Sequence, residues 1–356
     1  MTFAIAAAGT GGHVYPALSL AAALEELGVA KEEILFLGGD RLEAQAVPEA
    51  GYPFQGFELA RLRRSLTVKN LAIPWVVRHT SREMATHLWR SGTKVVVGMG
   101  GYVTVPASMA ARRAGIPFFL QEQNATPGLA SRFAARRALA TFLGLPGRAE
   151  RLPRSKVIGN PLRPAIATLD RAGLRNDAHR RYGLSGRKVL GILGGSLGAR
   201  VLNDAAEALV AGSGADAVIH LTGPKAYSDM ARLAGASKVP WVCRPFEADM
   251  EFFYAATDLI VCRAGAMTVS ELAATGTPSV LVPLERVGQQ WNARSIAETG
   301  GAVIVEQSDA GELSAVTRRL LADDAGLGRM GADARRAGRP GAAMVIARQL
   351  MEAAGA

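Results

Sequence analysis

Four glycine-rich loops recur along the chain, each between a short apolar run and a helical pattern, at residues 9–12, 98–101 and 194–198 and at Gly265. Glycine lets the backbone approach a phosphate closely, and the free N–H groups of a helix N-terminus carry partial positive charge. A single loop of this kind also closes ordinary strand–helix connections. Four in corresponding places predict repeated strand–loop–helix units, of which at least one binds a diphosphate.

The apolar runs beside these loops are short enough to be buried strands. They cover residues 3–7, 34–37, 95–97 and 118–120 in the first half, and 189–193, 218–221, 259–261 and 280–282 in the second. Helical patterns separate them, among them residues 16–27 and 199–210. Strands that alternate with helices form parallel sheets covered on both faces. The predicted fold class is therefore α/β, with two doubly wound, Rossmann-like parallel-sheet domains facing each other across a cleft.

The glycine and prolines of residues 159–164 interrupt the first set of units, and a polar run follows as far as Arg187. We interpret this stretch as a linker or hinge. The 356 residues also exceed what one ordinary hydrophobic core holds. The predicted organisation is a first domain at 1–163, a second at 164–340, and a C-terminal helix at 341–356 that packs back on the first.

The basic excess is confined to the first half of the chain. Residues 1–163 hold 20 Lys and Arg against 11 Asp and Glu, a net charge of +9, whereas the remaining residues hold 21 against 20. Such asymmetry favours a nucleic acid, an anionic membrane surface or a phosphorylated substrate as partner. Aromatic residues make up only 6% of the chain and no nucleic-acid-binding motif occurs, so nucleic acid is the least favoured of the three.

Several other classes are disfavoured by missing motifs. The N-terminus lacks the basic and apolar regions of a signal peptide, and no stretch approaches the roughly 18 apolar residues that cross a bilayer. Cys243 and Cys262 fit no disulfide framework and no paired metal motif, so both are expected to be free thiols. The first loop does not continue as GxGxxG, and neither a P-loop nor an HExxH or DxD metal motif occurs. The acidic stretch 247–249 is expected to be a solvated turn.

Polar side chains beside two of the loops are candidates for chemistry. His13 follows the first loop at a helix N-terminus, where the dipole disfavours the imidazolium and leaves a neutral ring able to accept a proton. A capping or surface histidine is the alternative. Glu271 begins the helix after the Gly265 loop and can accept both hydroxyls of a ribose, or merely complement the helix dipole. Gln289 and Asn292 follow a strand end, where neutral amides suit sugar hydroxyls.

A basic stretch with an apolar centre provides a candidate membrane-docking surface. Its predicted docking residues are Arg63, Arg64, Lys69, Leu71, Ile73 and Trp75. Cations beside a tryptophan are typical of segments that bind an anionic bilayer, with the cations at the headgroups and the indole at the interface. A helix packed with its apolar face inward is the alternative.

Taken together, the motifs resemble the MurG family of bacterial N-acetylglucosaminyltransferases over nearly the whole chain. The resemblance rests on residues 9–16, 98–102, 122–124, 159–163, 194–196 and 263–271, and on Gln289 with residues 292–293. It implies a GT-B fold and an inverting hexosyltransferase that needs neither a metal nor a cofactor. The implied donor is UDP-GlcNAc, and the implied acceptor is the 4-hydroxyl of MurNAc in undecaprenyl-diphosphate-linked lipid I. The product is lipid II for peptidoglycan synthesis, made by a peripheral protein at the cytoplasmic face of the inner membrane.

The resemblance also implies roles for individual residues. Ser196 and Arg163 are expected at the donor diphosphate, Glu271 at the ribose and Gln289 at the GlcNAc. The uracil and ribose pocket is expected to be lined by the backbone of Ala266, Met267, Thr268 and Val269, and Asn292 is a further substrate contact. Thr10, Gly11, Gly12 and Asn124 are expected to reach the substrates from the first domain. His13 is the candidate base.

The sequence departs from the family pattern at a few positions. Ala8 replaces a glycine, Gln121 a histidine, Leu197 a glutamine, and Gly288 a histidine or glutamine. Glu247 stands where the family commonly has isoleucine, so a contact with the uracil base is expected through the Glu247 backbone. Two other functions stay open: a UDP-GlcNAc 2-epimerase, which has a similar fold but needs no acceptor, and a non-catalytic nucleotide-sugar binder.

Overall fold

The computed structural model describes residues 2–59, 73–195, 198–284 and 288–355. The chain divides into two compact units, the first formed by Met1–Arg163 with Gly341–Ala356 and the second by Pro164–Pro340. Each unit contains one parallel sheet with helices packed on it. We call them unit 1 and unit 2 and describe each by itself.

Unit 1 is built on a seven-stranded sheet in the order β3-β2-β1-β4-β5-β6-β7. Its strands are β1 Thr2–Ala6, β2 Ile34–Gly38, β3 Phe54–Gly56, β4 Thr93–Gly98, β5 Phe118–Glu122, β6 Thr141–Leu143 and β7 Ser155–Val157. Between them lie the helices α1 Gly11–Glu26, α2 Leu42–Glu49, α3 Ile73–Arg90, α4 Thr104–Ala114 and α5 Leu129–Ala135, with short 3₁₀ turns at Lys31–Glu33 and Arg148–Arg151.

Unit 2 is built on a six-stranded sheet in the order β10-β9-β8-β11-β12-β13. Its strands are β8 Val189–Leu193, β9 Ala217–Leu221, β10 Trp241–Arg244, β11 Leu259–Cys262, β12 Ser279–Leu281 and β13 Ala302–Ile304. Its helices are α6 Pro164–Ala167, α7 Arg171–Tyr182, α8 Arg200–Asp204, α9 Ala206–Gly212, α10 Tyr227–Ala236, α11 Met250–Ala256, α12 Ala266–Thr275, α13 Gln289–Ala297, α14 Leu313–Leu321 and α15 Asp324–Ala337, with a 3₁₀ turn at Gln307–Glu312.

Both faces of the unit 1 sheet are covered, as the alternation along β1 shows. Phe3 and Ile5 pack into one core with α1, whereas Ala4 and Ala6 pack into another with α3 and α4. The last helix of the chain, α16 (Ala342–Ala354), inserts Ile346 and Leu350 into the core that contains α1. A strand buried on both faces reads as a continuous apolar run, which is the pattern seen in the sequence.

The strand order reverses between β1 and β4 in unit 1 and between β8 and β11 in unit 2. Ligands of doubly wound sheets bind at the carboxyl ends of the strands beside such a reversal. The four glycine loops follow these four strands, so the topology places all of them where a ligand is expected.

Two of the differences from the sequence prediction concern its linker and one of its helices. The linker predicted as far as Arg187 is wrong, because this stretch forms α6 and α7. Arg171 anchors α7 by donating to the carbonyl oxygens of Tyr254 (3.0 Å), Gly276 (2.9 Å) and Thr257 (2.6 Å). The helix is hard to recognise because only three of its residues are buried. The single helix predicted at 199–210 is divided into α8 and α9 at Ala205.

Candidate functional site

The first glycine loop leads from β1 into α1. Gly9 has φ +110°, a conformation that favours glycine. The N–H groups of His13 and Val14 already donate to the carbonyl of Thr10 (3.0 and 3.2 Å). The amides of Gly11 and Gly12 therefore precede the helix's own hydrogen bonds, which is the arrangement that binds anions.

A buried carboxylate that the sequence analysis missed holds this loop in place. Glu43 on α2 is completely buried. Its Oε2 accepts from the Gly9 N–H (2.9 Å) and its Oε1 from the Gly39 N–H (3.0 Å). An acidic residue four positions after the Gly38-Gly39 turn was the available sequence signal.

The second glycine loop lies against the first. Gly100 and Gly101 both have positive φ, +73° and +72°. A Cβ atom on Gly100 would lie 3.3 Å from His13 Cε1, and one on Gly101 would lie 3.3 Å from His13 Cδ2. Similarly, a Cβ on Gly9 would lie 3.3 Å from the ring of Tyr102. The second loop therefore forms a surface against which the His13 imidazole rests.

The segment after β5 completes this edge of unit 1. His13 Nδ1 lies 3.1 Å from Gln123 Oε1. The buried Glu122 carboxylate accepts from the backbone N–H (3.0 Å) and the side-chain Nδ2 (3.2 Å) of Asn124, and from the Gly128 N–H (3.3 Å). The predicted residues 10–13 and Asn124 thus belong to one sheet edge, which we call the unit 1 edge.

In unit 2, the glycine loop after β8 is closely packed. A Cβ atom on Gly194 would lie 2.3 Å from the Ala199 nitrogen, and one on Gly198 2.2 Å from the Thr222 carbonyl oxygen. Glycine is therefore required at both positions. Ser196, the predicted diphosphate contact, lies outside the described residues.

The N-terminus of α12 follows the carboxyl end of β11. The Val269 N–H donates to the carbonyl of Gly265 (2.9 Å), so the amides of Ala266, Met267 and Thr268 precede the first intrahelical bond. The side chain of Val269 is buried in the core, and neither it nor its N–H faces solvent. The other three residues keep the geometry of an anion-binding turn.

Glu271 lies one turn further along α12 and is half-buried. The hydroxyl of Tyr254, a fully buried residue on α11, donates to its Oε2 (2.7 Å). Tyr254 was not identified from the sequence, because nothing in the local pattern connects it to Glu271. It fixes the orientation of the carboxylate proposed to bind the ribose.

The side-chain amides predicted to bind the sugar form hydrogen bonds with neighbouring segments. Gln289 Oε1 accepts from the Leu284 N–H (3.0 Å), and the buried Asn292 donates its Nδ2 to the carbonyl of Ala264 (3.1 Å). Arg263 donates to the Val282 carbonyl (3.0 Å) and to Gln307 Oε1 (2.7 Å). These bonds hold the ends of β11 and β12 together at what we call the unit 2 edge.

Glu247 is not the solvated residue expected from the sequence. Its buried carboxylate accepts from Arg244 Nη1 (2.7 Å), the Tyr182 hydroxyl (2.7 Å) and Arg181 Nη2 (3.1 Å). Burial and the neighbouring carboxylate raise the pKa of the Tyr182 hydroxyl. The prediction was wrong because α7, the helix mistaken for a linker, supplies two of the three partners.

The described part of the predicted docking surface lies on α3. Ile73 is half-buried at its start, and Trp75 is 76% exposed. A second tryptophan, Trp89, is 77% exposed near its end. The predicted docking residues Arg63, Arg64, Lys69 and Leu71 lie outside the described residues. Arg163 is half-buried at the end of unit 1.

Cys243 and Cys262 are both free. Among the described residues, no three His, Cys, Asp or Glu side chains cluster as metal ligands would. Over the same residues, no helix has the length and apolar character that a membrane span requires.

Comparison with known proteins matches both units to one family. The N-terminal domain model of glycosyltransferase family 28 matches residues 3–143, and the C-terminal domain model matches residues 189–344. UDP-N-acetylglucosamine–N-acetylmuramyl-(pentapeptide) pyrophosphoryl-undecaprenol N-acetylglucosamine transferase of Acidothermus cellulolyticus is 38% identical, covering 100% of this chain and 99% of that protein. The protein of the same name from Rhodococcus jostii is 39% identical, covering 98% and 95%.

Solved structures agree with this match. MurG of Acinetobacter baumannii superposes with a TM-score of 0.78 at 26% identity, covering 99% of this chain and all of that one. UDP-GlcNAc 2-epimerase from Neisseria meningitidis has a TM-score of 0.68 at only 14% identity, a likeness of fold alone. The two parallel-sheet units confirm the predicted GT-B fold class. The chain therefore belongs to the MurG family of N-acetylglucosaminyltransferases within glycosyltransferase family 28.

Proposed function

We propose that this chain transfers GlcNAc from UDP-GlcNAc to the 4-hydroxyl of MurNAc in lipid I, the undecaprenyl-diphosphate-linked acceptor, and so forms lipid II for the cell wall. The observation that carries the proposal is 38–39% identity along essentially the full length of relatives named for this transfer. Each unit offers one sheet edge with groups suited to one substrate.

The donor is assigned to the unit 2 edge. The amides of Ala266, Met267 and Thr268 suit the uridine and its phosphates, and Glu271 accepts hydrogen bonds from the ribose hydroxyls. Gln289 and Asn292 serve the sugar. In this proposal Ser196, Arg163 and the positive end of α12 offset the charge on the departing diphosphate, so no divalent ion is required.

The acceptor is assigned to the unit 1 edge, with Thr10 and Asn124 orienting its sugar. The acceptor's own diphosphate suits the amides of Gly11 and Gly12. Its 4-hydroxyl oxygen attacks the anomeric carbon of GlcNAc and the bond from that carbon to the UDP oxygen breaks, which inverts the configuration. The hydroxyl proton passes to His13 as general base, and UDP leaves as a trianion that keeps the electron pair of the broken bond on its terminal phosphate.

Docking to the anionic cytoplasmic face of the inner membrane is assigned to α3 and the residues before it. Trp75, Arg78, Arg82 and Trp89 are exposed along one side of this helix, while Met84 and Leu88 pack into the core on the other. Indole rings at a bilayer interface with cations between them fit anionic headgroups.

Vesicle co-sedimentation tests the docking assignment. Replacing Trp75 and Trp89 together by serine is expected to reduce binding to phosphatidylglycerol vesicles at least tenfold. Tyr227→Ser, at an exposed aromatic residue of unit 2, serves as the control and should bind as the parent does. Equal binding by all three proteins would exclude α3 as the docking helix.

The transfer itself is tested by UDP release. Purified protein with UDP-GlcNAc and a soluble lipid I analogue should release UDP at a rate that EDTA leaves unchanged. No release in the presence of a competent acceptor would refute the proposal, and loss of release on chelation would refute its metal-free form.

The epimerase is the alternative that the fold permits, since the Neisseria meningitidis 2-epimerase shares it. An epimerase needs no acceptor. Incubation with UDP-GlcNAc alone should therefore yield no UDP-ManNAc if the chain is a transferase, and appearance of that epimer would favour the alternative.

A further inference from the structure

A chain of buried side-chain amides connects His13 to two backbone carbonyls of unit 1. Gln121, Gln123 and Asn160 are each no more than 1% exposed. Buried amides must match donors to acceptors among their neighbours. A carbonyl oxygen can only accept a hydrogen bond. The two backbone carbonyls at the ends of this series of amides therefore determine the direction of every hydrogen bond in the series.

The first end is the carbonyl of Met99. Gln123 Nε2 donates to this oxygen at 2.8 Å, so the NH₂ group of Gln123 must face Met99 and its Oε1 must face the other way. That Oε1 lies 3.1 Å from His13 Nδ1. An amide oxygen has no proton to give, so the hydrogen of this bond belongs to His13 Nδ1.

The second end gives the same direction independently. Asn160 Nδ2 donates to the carbonyl of Gln123 (3.2 Å), which turns Asn160 Oδ1 toward Gln121 Nε2 at 2.7 Å. Gln121 Oε1 is then the acceptor for the second N–H of Gln123. Reversing any one amide would place two donors or two acceptors against each other.

The second glycine loop makes room for this arrangement. A Cβ atom on Gly100 would lie 2.9 Å from Gln123 Oε1 and 3.3 Å from His13 Nδ1. Only a residue without a side chain lets the amide oxygen and the imidazole meet there.

We propose that Gln123 is a positioning residue that holds His13 in the Nδ1–H tautomer, so that Nε2 bears the lone pair that accepts the proton of the acceptor hydroxyl. A neutral histidine without such a partner favours the opposite tautomer, in which Nε2 carries a hydrogen and cannot act as a base. The catalytic part of this inference rests on the proposed function, whereas the tautomer does not.

The tautomer is measured directly by two-bond ¹H–¹⁵N correlation spectra of protein labelled with ¹⁵N-histidine. The chain has 5 histidines, and the spectrum of His13→Gln identifies the signals of His13. The parent protein should show His13 as Nδ1–H at a pH where the ring is neutral. An Nε2–H pattern in the parent protein would overturn the proposal without any variant having to fold.

Two variants separate positioning from packing. Gln123→Met removes the acceptor and should move His13 toward the Nε2–H tautomer. Gln121→Met removes an equally buried amide but leaves the Met99 carbonyl against Gln123, so His13 should remain Nδ1–H. A tautomer unchanged in Gln123→Met, or lost equally in both variants, would contradict the role of Gln123.

Kinetics test the catalytic part. Gln123→Met should lower kcat about tenfold to a hundredfold with little change in KM for UDP-GlcNAc. In a His13→Ala background the same substitution should cost almost nothing further, because the group it positions is gone. An additive loss in that background would mean a merely structural role. If the parent protein does not turn over at all, the proposed function fails, while the spectra still decide the tautomer.

Discussion

His13 and Glu271 each contact a partner side chain that no local sequence pattern predicts. Gln123 lies 110 positions from His13, and Tyr254 lies 17 positions from Glu271 on a different helix. Both partners are buried, so each candidate functional group has one atom held by a buried side chain. At the scale of single residues, the site depends on orientation as much as on residue type.

His13→Ala is expected to lower kcat by about 10²–10⁴-fold, because it removes the proposed general base. The KM for UDP-GlcNAc should change little, since the donor is assigned to unit 2. Steady-state kinetics with a lipid I analogue measure both. A loss below about tenfold would reduce His13 to a positioning role.

Glu271→Ala is expected to weaken UDP-GlcNAc binding by about 1.5–3 kcal/mol, the value of hydrogen bonds from the ribose to a charged group. Titration calorimetry with the donor measures the loss. Tyr254→Phe, which removes only the orienting hydroxyl, should cost less. Unchanged affinity in Glu271→Ala would remove this residue from the donor site.

His220 gives unit 2 a dependence on pH. Its Nε2 lies 3.0 Å from Asn203 Oδ1, and its Nδ1 has no hydrogen-bond partner among the described residues. Burial lowers the pKa of His220 from 6.5 to about 4. Between these values the unfolded chain binds a proton that the folded one does not, so stability falls as the pH drops from about 6.5 to about 4. The maximal loss is about 3 kcal/mol.

Hydrogen exchange of β9, corrected for the intrinsic rate at each pH, measures this loss. In His220→Gln the part of the pH dependence that comes from this residue should vanish. His79→Gln, at an exposed histidine, is the control and should keep the pH dependence of the parent protein. Identical pH profiles for the parent and His220→Gln would show that folding does not lower the pKa of this imidazole.

Among the elements, α2 holds the first glycine loop, and α11 holds Glu271 on the helix that follows the fourth loop. Glu43 shows this most clearly, because one carboxylate ties the first loop to the turn after β2. Each of its oxygens accepts one backbone N–H, and the group is wholly buried. The geometry of the first loop therefore depends on α2.

Glu43→Gln is expected to destabilise unit 1 by roughly 1–3 kcal/mol, because an amide has one oxygen and would set its NH₂ against a buried backbone donor. Thermal unfolding and exchange of the amides at residues 9–13 report the effect. The exposed pair formed by Gln45 and Glu49 on the same helix allows Glu49→Gln as the matched control. Equal stability of both variants would contradict the role of Glu43.

The elements also show how much of the fold the sequence predicts. The four glycine loops and the apolar strands are local patterns, and they were sufficient to predict an α/β fold with parallel sheets. Strand limits shifted by only a residue or two, as at β1 and β9. In contrast, α7 was mistaken for a linker because its exposed polar face hides the helical period. Glu43 and Tyr254 were missed because their contacts join separate elements.

At the scale of the whole molecule, chemistry is divided between two units. Unit 1 has the basic excess, the first two glycine loops, His13 and the exposed tryptophans of α3. Unit 2 has the third and fourth loops and Glu271. This division suits the proposed reaction, in which unit 1 binds the membrane-bound acceptor and unit 2 binds the soluble nucleotide sugar.

The structure of the product tests the proposed transfer. Mass spectrometry and NMR of the lipid I analogue after incubation with UDP-GlcNAc should show one added N-acetylglucosamine, β-linked to the 4-hydroxyl of MurNAc, with one UDP released for each sugar transferred. An α-linkage, a sugar at another hydroxyl, or UDP release without a glycosylated product would contradict the account.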